Sequence, residues 1–187
     1  MTDKHQVQKH HKKQNSCQRP RTAARVAAVQ ALFQIEQNND DEERVIQQFL
    51  EYRLRDTDPH NALYEEGHVF GADKALFQNI VRQATHNKED FLKEIRRSLP
   101  KTWSLERIDP VLRAIFLAAR GEWGFVAVPV LINEYVDIAH GFFSGTEPQL
   151  VNGLLDALFN SLSRQNQSKP MINGTREPPK TPLKTTE

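Results

Sequence analysis

Ile108, Val111, Leu112, Ile115 and Phe116 fall at i, i+3, i+4, i+7 and i+8. A helix gathers that spacing into one apolar stripe, whereas a strand would scatter it over both faces. The same period recurs through most of the chain between its ends. Val26, Val29, Leu32 and Phe33 carry it in a first helix from about Pro20 to Gln37. Val45, Ile46, Phe49 and Leu50 carry it in a second, Leu76, Ile80, Val81 and Ala84 in a third, and Phe91, Leu92, Ile95 and Leu99 in a fourth. After the stripe that begins at Ile108 come a sixth helix from Pro129, with Ile132, Val136 and Ala139 inside, and a seventh with Leu150, Val151, Leu154, Leu155, Leu158, Phe159 and Leu162. Alternation with a period of two is rare, so strands are not expected, and the fold class is all-α with about seven helices.

The punctuation agrees. Asn38-Asn39-Asp40-Asp41 breaks the first helix, Asn87 suits the cap of the fourth, and Pro100 limits it. Gly121 and Gly124 bracket the end of the fifth. Thr146-Glu147-Pro148-Gln149 reads as a capping box with proline near the first helical position. Asp56 to Gly71 holds Pro59, Gly67 and several charges, and reads as a loop longer than most, a flexible insertion.

Composition sets the boundaries of the fold. Residues 1–18 are rich in Lys, His, Gln and Asn, and residues 164–187 contain Pro170, Pro178, Pro179 and Pro182, so both ends are expected to be disordered tails. Residues 19–163 then form one domain, of a size that buries a real core. A net charge of +1 hides basic ends around an acidic body, an arrangement suited to a local RNA site and a basic protein partner. No apolar run is long enough to span a membrane, and the N-terminus lacks the apolar stretch of a signal peptide. A lone Cys17 excludes an internal disulfide framework and agrees with a reducing, cytoplasmic setting.

The chemistry concentrates at the start of the first helix, where Arg19, Pro20, Arg21 and Arg25 lead into Val26-Ala27-Ala28-Val29-Gln30-Ala31-Leu32-Phe33. Arg21 and Arg25 are one turn apart on the same face, on a helix anchored further along by apolar residues. Fixed guanidinium groups of this kind hold a phosphate backbone in register and stack on unpaired bases. Positive charge is unfavourable at a helix N-terminus, which favours a functional reading over a merely solvated helix start. Gln30 on a polar stripe of the same helix either reads a base edge or simply faces solvent.

The order Arg-x-x-Ala-Arg-x-x-Ala-Val-Gln-Ala-Leu-aromatic resembles the opening helix of the NusB family of bacterial transcription antitermination factors. Two further stretches extend the resemblance: Val128 to Ala139, containing Ile132-Asn133-Glu134, and Leu150-Val151-Asn152-Gly153-Leu154-Leu155-Asp156. The resemblance covers roughly Arg19 to Leu162 and implies two packed helical bundles. It implies binding of single-stranded boxA-like RNA together with NusE, also a small-subunit ribosomal protein. It further implies indirect docking on elongating RNA polymerase and read-through of terminators in ribosomal RNA operons. Arg19, Arg21, Arg25 and Gln30 are the expected RNA contacts, and Lys9, Lys12 and Lys13 supply non-specific charge. Phe33 and Asp109 take the partner-facing places, with core packing for Phe33 and helix-dipole stabilisation for Asp109 as the competing readings. Asn152 and Gly153 are expected to be structural, with glycine permitting close helix approach, and Asn133-Glu134 to tie helices together. Monomer and homodimer are both compatible with the resemblance.

The chain also departs from the family. Its fifth helix ends Ala119-Arg120-Gly121-Glu122-Trp123, without the usual Arg and aromatic of that segment, and the loop before Thr146 lacks the usual acidic pair. No enzyme is expected. His5, His10, His11 and Cys17 fit no standard metal spacing, no phosphate or dinucleotide loop is present, and no metal or cofactor is implied. NusB-like domains also precede ribosomal RNA methyltransferase domains, and the polar segment 164–187 is not expected to hold one. The competing reading is a non-catalytic helical adaptor, or an accessory RNA-binding module of ribosomal RNA maturation.

Overall fold

A computed structural model describes residues 19–54, 71–101 and 103–167. The expected 1–18 tail, nearly all of the 56–71 loop and the C-terminal residues after 167 lie outside them. Among the described residues there are seven α-helices and no strands: α1 (Pro20–Asn38), α2 (Glu42–Gln48), α3 (Lys74–His86), α4 (Lys88–Ser98), α5 (Pro110–Glu122), α6 (Val128–Phe142) and α7 (Glu147–Gln167). The last helix continues past residue 164, where a tail was expected, before the described residues end.

Local chemistry sets most of the ends. Asn39 closes α1 in the left-handed region at φ 54°, which asparagine tolerates well. Asp41 and Asp73 cap α2 and α3, each accepting a backbone N–H three residues on at 2.9 Å. Asn87 stands at the start of α4 but does not cap it; its side-chain amide donates backward to the Gln83 carbonyl at 3.0 Å. The side chains of Thr146 and Gln149 form no capping hydrogen bond among the described residues, although α7 begins right after Thr146. α2 runs on into a π-helical turn over Phe49–Arg53 that the sequence does not announce.

α5 is the axis of the molecule. Ala114 to Ala119 are all buried, so this helix is apolar on every side and packs against neighbours all round. α1 and α3 cover one flank, while α4, α6 and α7 build a second bundle on the other. The face that α1 buries is largely alanine: Ala24, Ala27, Ala28 and Ala31 join Val29 and Leu32 there, whereas Val26 and Phe33 are only half-buried. Small side chains bring α1 close to α3 and α5.

Gly121 has the same use. It lies inside α5, and a Cβ there would stand 3.0 Å from the Ile80 carbonyl oxygen of α3. At Gly153, where close approach was expected, a Cβ would meet nothing within 4 Å, and both Asn152 and Gly153 are exposed. The altered end of α5 is filled by Arg120, which pairs with Glu94 at 2.6 Å between the rings of Phe91 and Trp123.

Candidate nucleic-acid interface

The start of α1 separates its three arginines. Arg19 and Arg21 are exposed and form no ion pair or side-chain hydrogen bond among the described residues. The first turn holds no acidic side chain, and Arg19 at the N-cap provides no capping acceptor. The positive end of the helix dipole therefore adds to two guanidinium groups that face solvent.

Arg25 is elsewhere. It is 2% exposed, and its guanidinium is spent inside the protein. Nε and Nη2 donate to the two oxygens of Glu122 in α5 at 2.8 and 2.7 Å, while Nη1 donates to Glu134 Oε2 in α6 at 2.7 Å. Tyr135 donates its hydroxyl to Glu122 at 3.1 Å, and Thr22 donates to the same Glu134 oxygen at 2.7 Å. Arg25, expected beside Arg19 and Arg21 as an RNA contact, is thus held inside the protein by Glu122 and Glu134 and does not face solvent with them. Glu122 is fully buried and would be intolerable without a cation, and the fork of Arg25 satisfies both its oxygens. Burial works against the Arg25 charge, but the hydrogen bond and field of Glu122, with Glu134 behind it, outweigh that and raise its pKa above the ordinary value. Glu134 ties helices together as expected; Asn133 is exposed and takes no part.

Further along α1, Gln30 is half-buried and accepts from Arg53 Nη1 at 3.2 Å. The π-helical turn places the Arg53 guanidinium 5.0 Å over the Phe49 ring and beside Gln30. A cavity of about 420 Å³ opens there, lined by Gln30, Phe33, Gln34, Phe49, Arg53 and Phe142 among others. Phe33 therefore packs partly on the core and partly lines this recess. Asp109 caps α5, its carboxylate accepting the Val111 N–H at 2.8 Å, yet it stays exposed, and Val111 lines the same cavity. Phe33 thus lies about 18 Å along α1 from Arg21 by the helical rise per residue, and Asp109 caps the helix whose Val111 lines the same recess.

This architecture can be set beside known proteins. A sequence model of the NusB family matches residues 22–160. The chain belongs to the NusB family. It is 49% identical, over 77% of its own length and 89% of the relative, to the transcription antitermination protein NusB of Gluconobacter oxydans. The fold matches the solved NusB of T. maritima with a TM-score of 0.59 and 27% identity, covering 75% of this chain and 91% of that one. It also matches a chain in the complex of antitermination factors NusB and NusE with double-stranded RNA, at a TM-score of 0.58 and 17% identity over 75% and 96% of the two chains. The NusB relatives from Gluconobacter oxydans and Granulibacter bethesdensis are both named transcription antitermination proteins.

Sequence reasoning missed Glu122, Tyr135 and Arg53. One signal for the burial of Arg25 was available: Ala28, Val29 and Leu32, at i+3, i+4 and i+7 from it, are all buried. Arg53 had no such signal, because the π-turn that aims it is invisible in the periodicity.

Proposed function

We propose that this chain is a transcription antitermination factor that binds single-stranded boxA-like leader RNA with NusE and promotes read-through in ribosomal RNA operons. The observation that carries the RNA part is the pair of unpaired arginines, Arg19 and Arg21, on a helix start anchored by buried side chains. Phosphate contacts from two such groups set register and affinity, and base discrimination comes from polar side chains nearby and from the partner. Gln30 suits that second task, since its oxygen is held by Arg53 and its amide nitrogen has no partner among the described residues.

Phe33 and Asp109 are the partner side of this reading. An aromatic ring at the edge of a recess and an exposed carboxylate near it suit a basic ribosomal protein. Two modest binders on one RNA gain through effective concentration. The protein acts in the cytoplasm, without catalysis and without metal or cofactor.

The test is RNA binding by the purified protein across a salt series, with and without NusE, against a scrambled RNA of equal length. The boxA-type strand should bind more tightly, and NusE should strengthen it. Arg19→Ala and Arg21→Ala should each lower the slope of log K against log salt by about 0.7. Equal affinity for both RNAs, with and without NusE, would overturn the reading and leave a helical adaptor.

A further inference from the structure

The first turn of α1 is an unusual place to hold two arginines in a fixed direction. Helix starts fray, because their first N–H groups lack intrahelical partners. Here the N-cap residue offers no side-chain acceptor and no acid follows in the first turn. Two contacts oppose fraying. The Asp73 N–H donates to the Pro20 carbonyl at 2.9 Å, and the Thr22 hydroxyl donates to Glu134 Oε2. The second is the one side-chain hydrogen bond that links residues 19–23 to another helix among the described residues.

The same oxygen of Glu134 also accepts from Arg25 Nη1, so one carboxylate oxygen of α6 grips two successive turns of α1. Behind it, Arg25 is fixed to α5 through both oxygens of Glu122. Thr22 is covalently next to Arg21. The side chain of Glu134 is 24% exposed, which places an anion at the surface beside the arginines expected to attract RNA. By charge alone it would repel the ligand, so an acid here needs another use.

We propose that Glu134 is a positioning residue: through Thr22 and Arg25 it locks the first turn of α1, so that Arg19 and Arg21 are presented to RNA in one orientation. This rests on the RNA-binding reading above and adds to it the residues that align the contact. Glu134 touches no RNA. What it supplies is preorganisation, which lowers the ordering cost of binding.

Charge and hydrogen bonding have opposite signs at this position, and the experiment exploits that. Affinity for a boxA-type strand is measured in the full-length protein for Glu134→Ala, Glu134→Gln, Thr22→Val and the Thr22→Val/Glu134→Ala double variant. Amide hydrogen exchange is followed at Ala23 to Val26 in the same proteins without RNA. Glu134→Ala and Thr22→Val should each weaken binding about tenfold, the scale of one hydrogen bond to a charged group. The double variant should be little worse than Glu134→Ala, because both changes break one interaction. Glu134→Gln keeps an acceptor oxygen and removes the repelling charge, so it should bind at least as well as the natural protein. Exchange at Ala23 to Val26 should speed up in the alanine variant and not in the glutamine variant.

Tighter binding in both Glu134 variants would reduce the residue to a repelling charge and overturn the proposal. So would unchanged affinity in Glu134→Ala and Thr22→Val, or unchanged exchange. If the natural protein fails to prefer boxA-type over scrambled RNA, the functional reading falls. The exchange measurement still decides separately whether Glu134 locks the turn.

Discussion

The guanidinium of Arg25 meets the carboxylate of Glu122 edge to edge, Nε to Oε2 at 2.8 Å and Nη2 to Oε1 at 2.7 Å, across 97 residues of sequence. The pair fastens α1 to α5 inside the protein, and Glu134 and Tyr135 attach α6 to the same cluster. Three helices are thereby fixed at the end of the molecule where Arg19 and Arg21 emerge.

Removing one partner of a buried pair is far more damaging than removing both. Arg25→Ala would leave the fully buried Glu122 with only the Tyr135 hydroxyl. The expected loss is about 3–5 kcal/mol by chemical denaturation. An apolar double replacement, Arg25→Met with Glu122→Leu, should recover much of it, although Glu134 loses its cation and the buried Tyr135 hydroxyl its acceptor. If the single variant loses less than about 1 kcal/mol, the cluster is not the fastening described.

Tyr135 makes the same cluster sensitive to alkali. Its burial first, and then the charge of Glu122, push its pKa well above the ordinary tyrosine range. The folded protein therefore holds this proton more tightly than the unfolded chain does. Below about pH 10, the ordinary tyrosine value, both states keep the proton and the contribution is intact. Above it the unfolded chain ionises first, and stability falls as pH rises. The melting temperature of the natural protein should drop more steeply above pH 10 than that of Tyr135→Phe. At neutral pH the phenylalanine variant should be weaker by about 1 kcal/mol for the lost hydrogen bond. Parallel curves in alkali would contradict the assignment.

The helices were legible because burial follows a 3.6-residue period, and even α1 was recognisable. What its pattern concealed was the face. Val26 and Phe33 stand out as apolar but are half-buried, while Ala24, Ala27, Ala28 and Ala31, which signal little individually, form the contact. Arg21 and Arg25 look equivalent in sequence, one turn apart. Only the partners of Arg25, 97 and 109 residues away, separate a surface charge from a buried one. Asp109 illustrates a different case: both proposed uses of an acid before a helix were readable, and the cap is present while the carboxylate remains exposed.

Two glycines test the packing from opposite directions. Gly121→Ala places a Cβ 3.0 Å from the Ile80 carbonyl and 3.3 Å from the Ala84 nitrogen, both backbone atoms that cannot turn away. It should cost about 1–3 kcal/mol as α3 and α5 separate. Gly153→Ala meets open space on an exposed helical face and should stabilise by roughly 0.5–1 kcal/mol. Thermal denaturation of the two variants decides this, and a reversed order would mean that α7, not α5, makes the close approach.

Asp109 allows cap and partner contact to be separated with two substitutions. Asparagine caps helices about as well as aspartate, so Asp109→Asn should keep the bond to the Val111 N–H and lose only the charge. Asp109→Ala loses both, and should be less stable by about 0.5–2 kcal/mol. If the carboxylate faces a basic partner, both variants should bind NusE more weakly, chiefly through slower association that depends on salt. If the residue only caps α5, Asp109→Asn should bind NusE as the natural protein does, whatever happens to Asp109→Ala. Calorimetry and stopped-flow association on the two variants distinguish these outcomes, because stability tracks the cap and association rate tracks the charge.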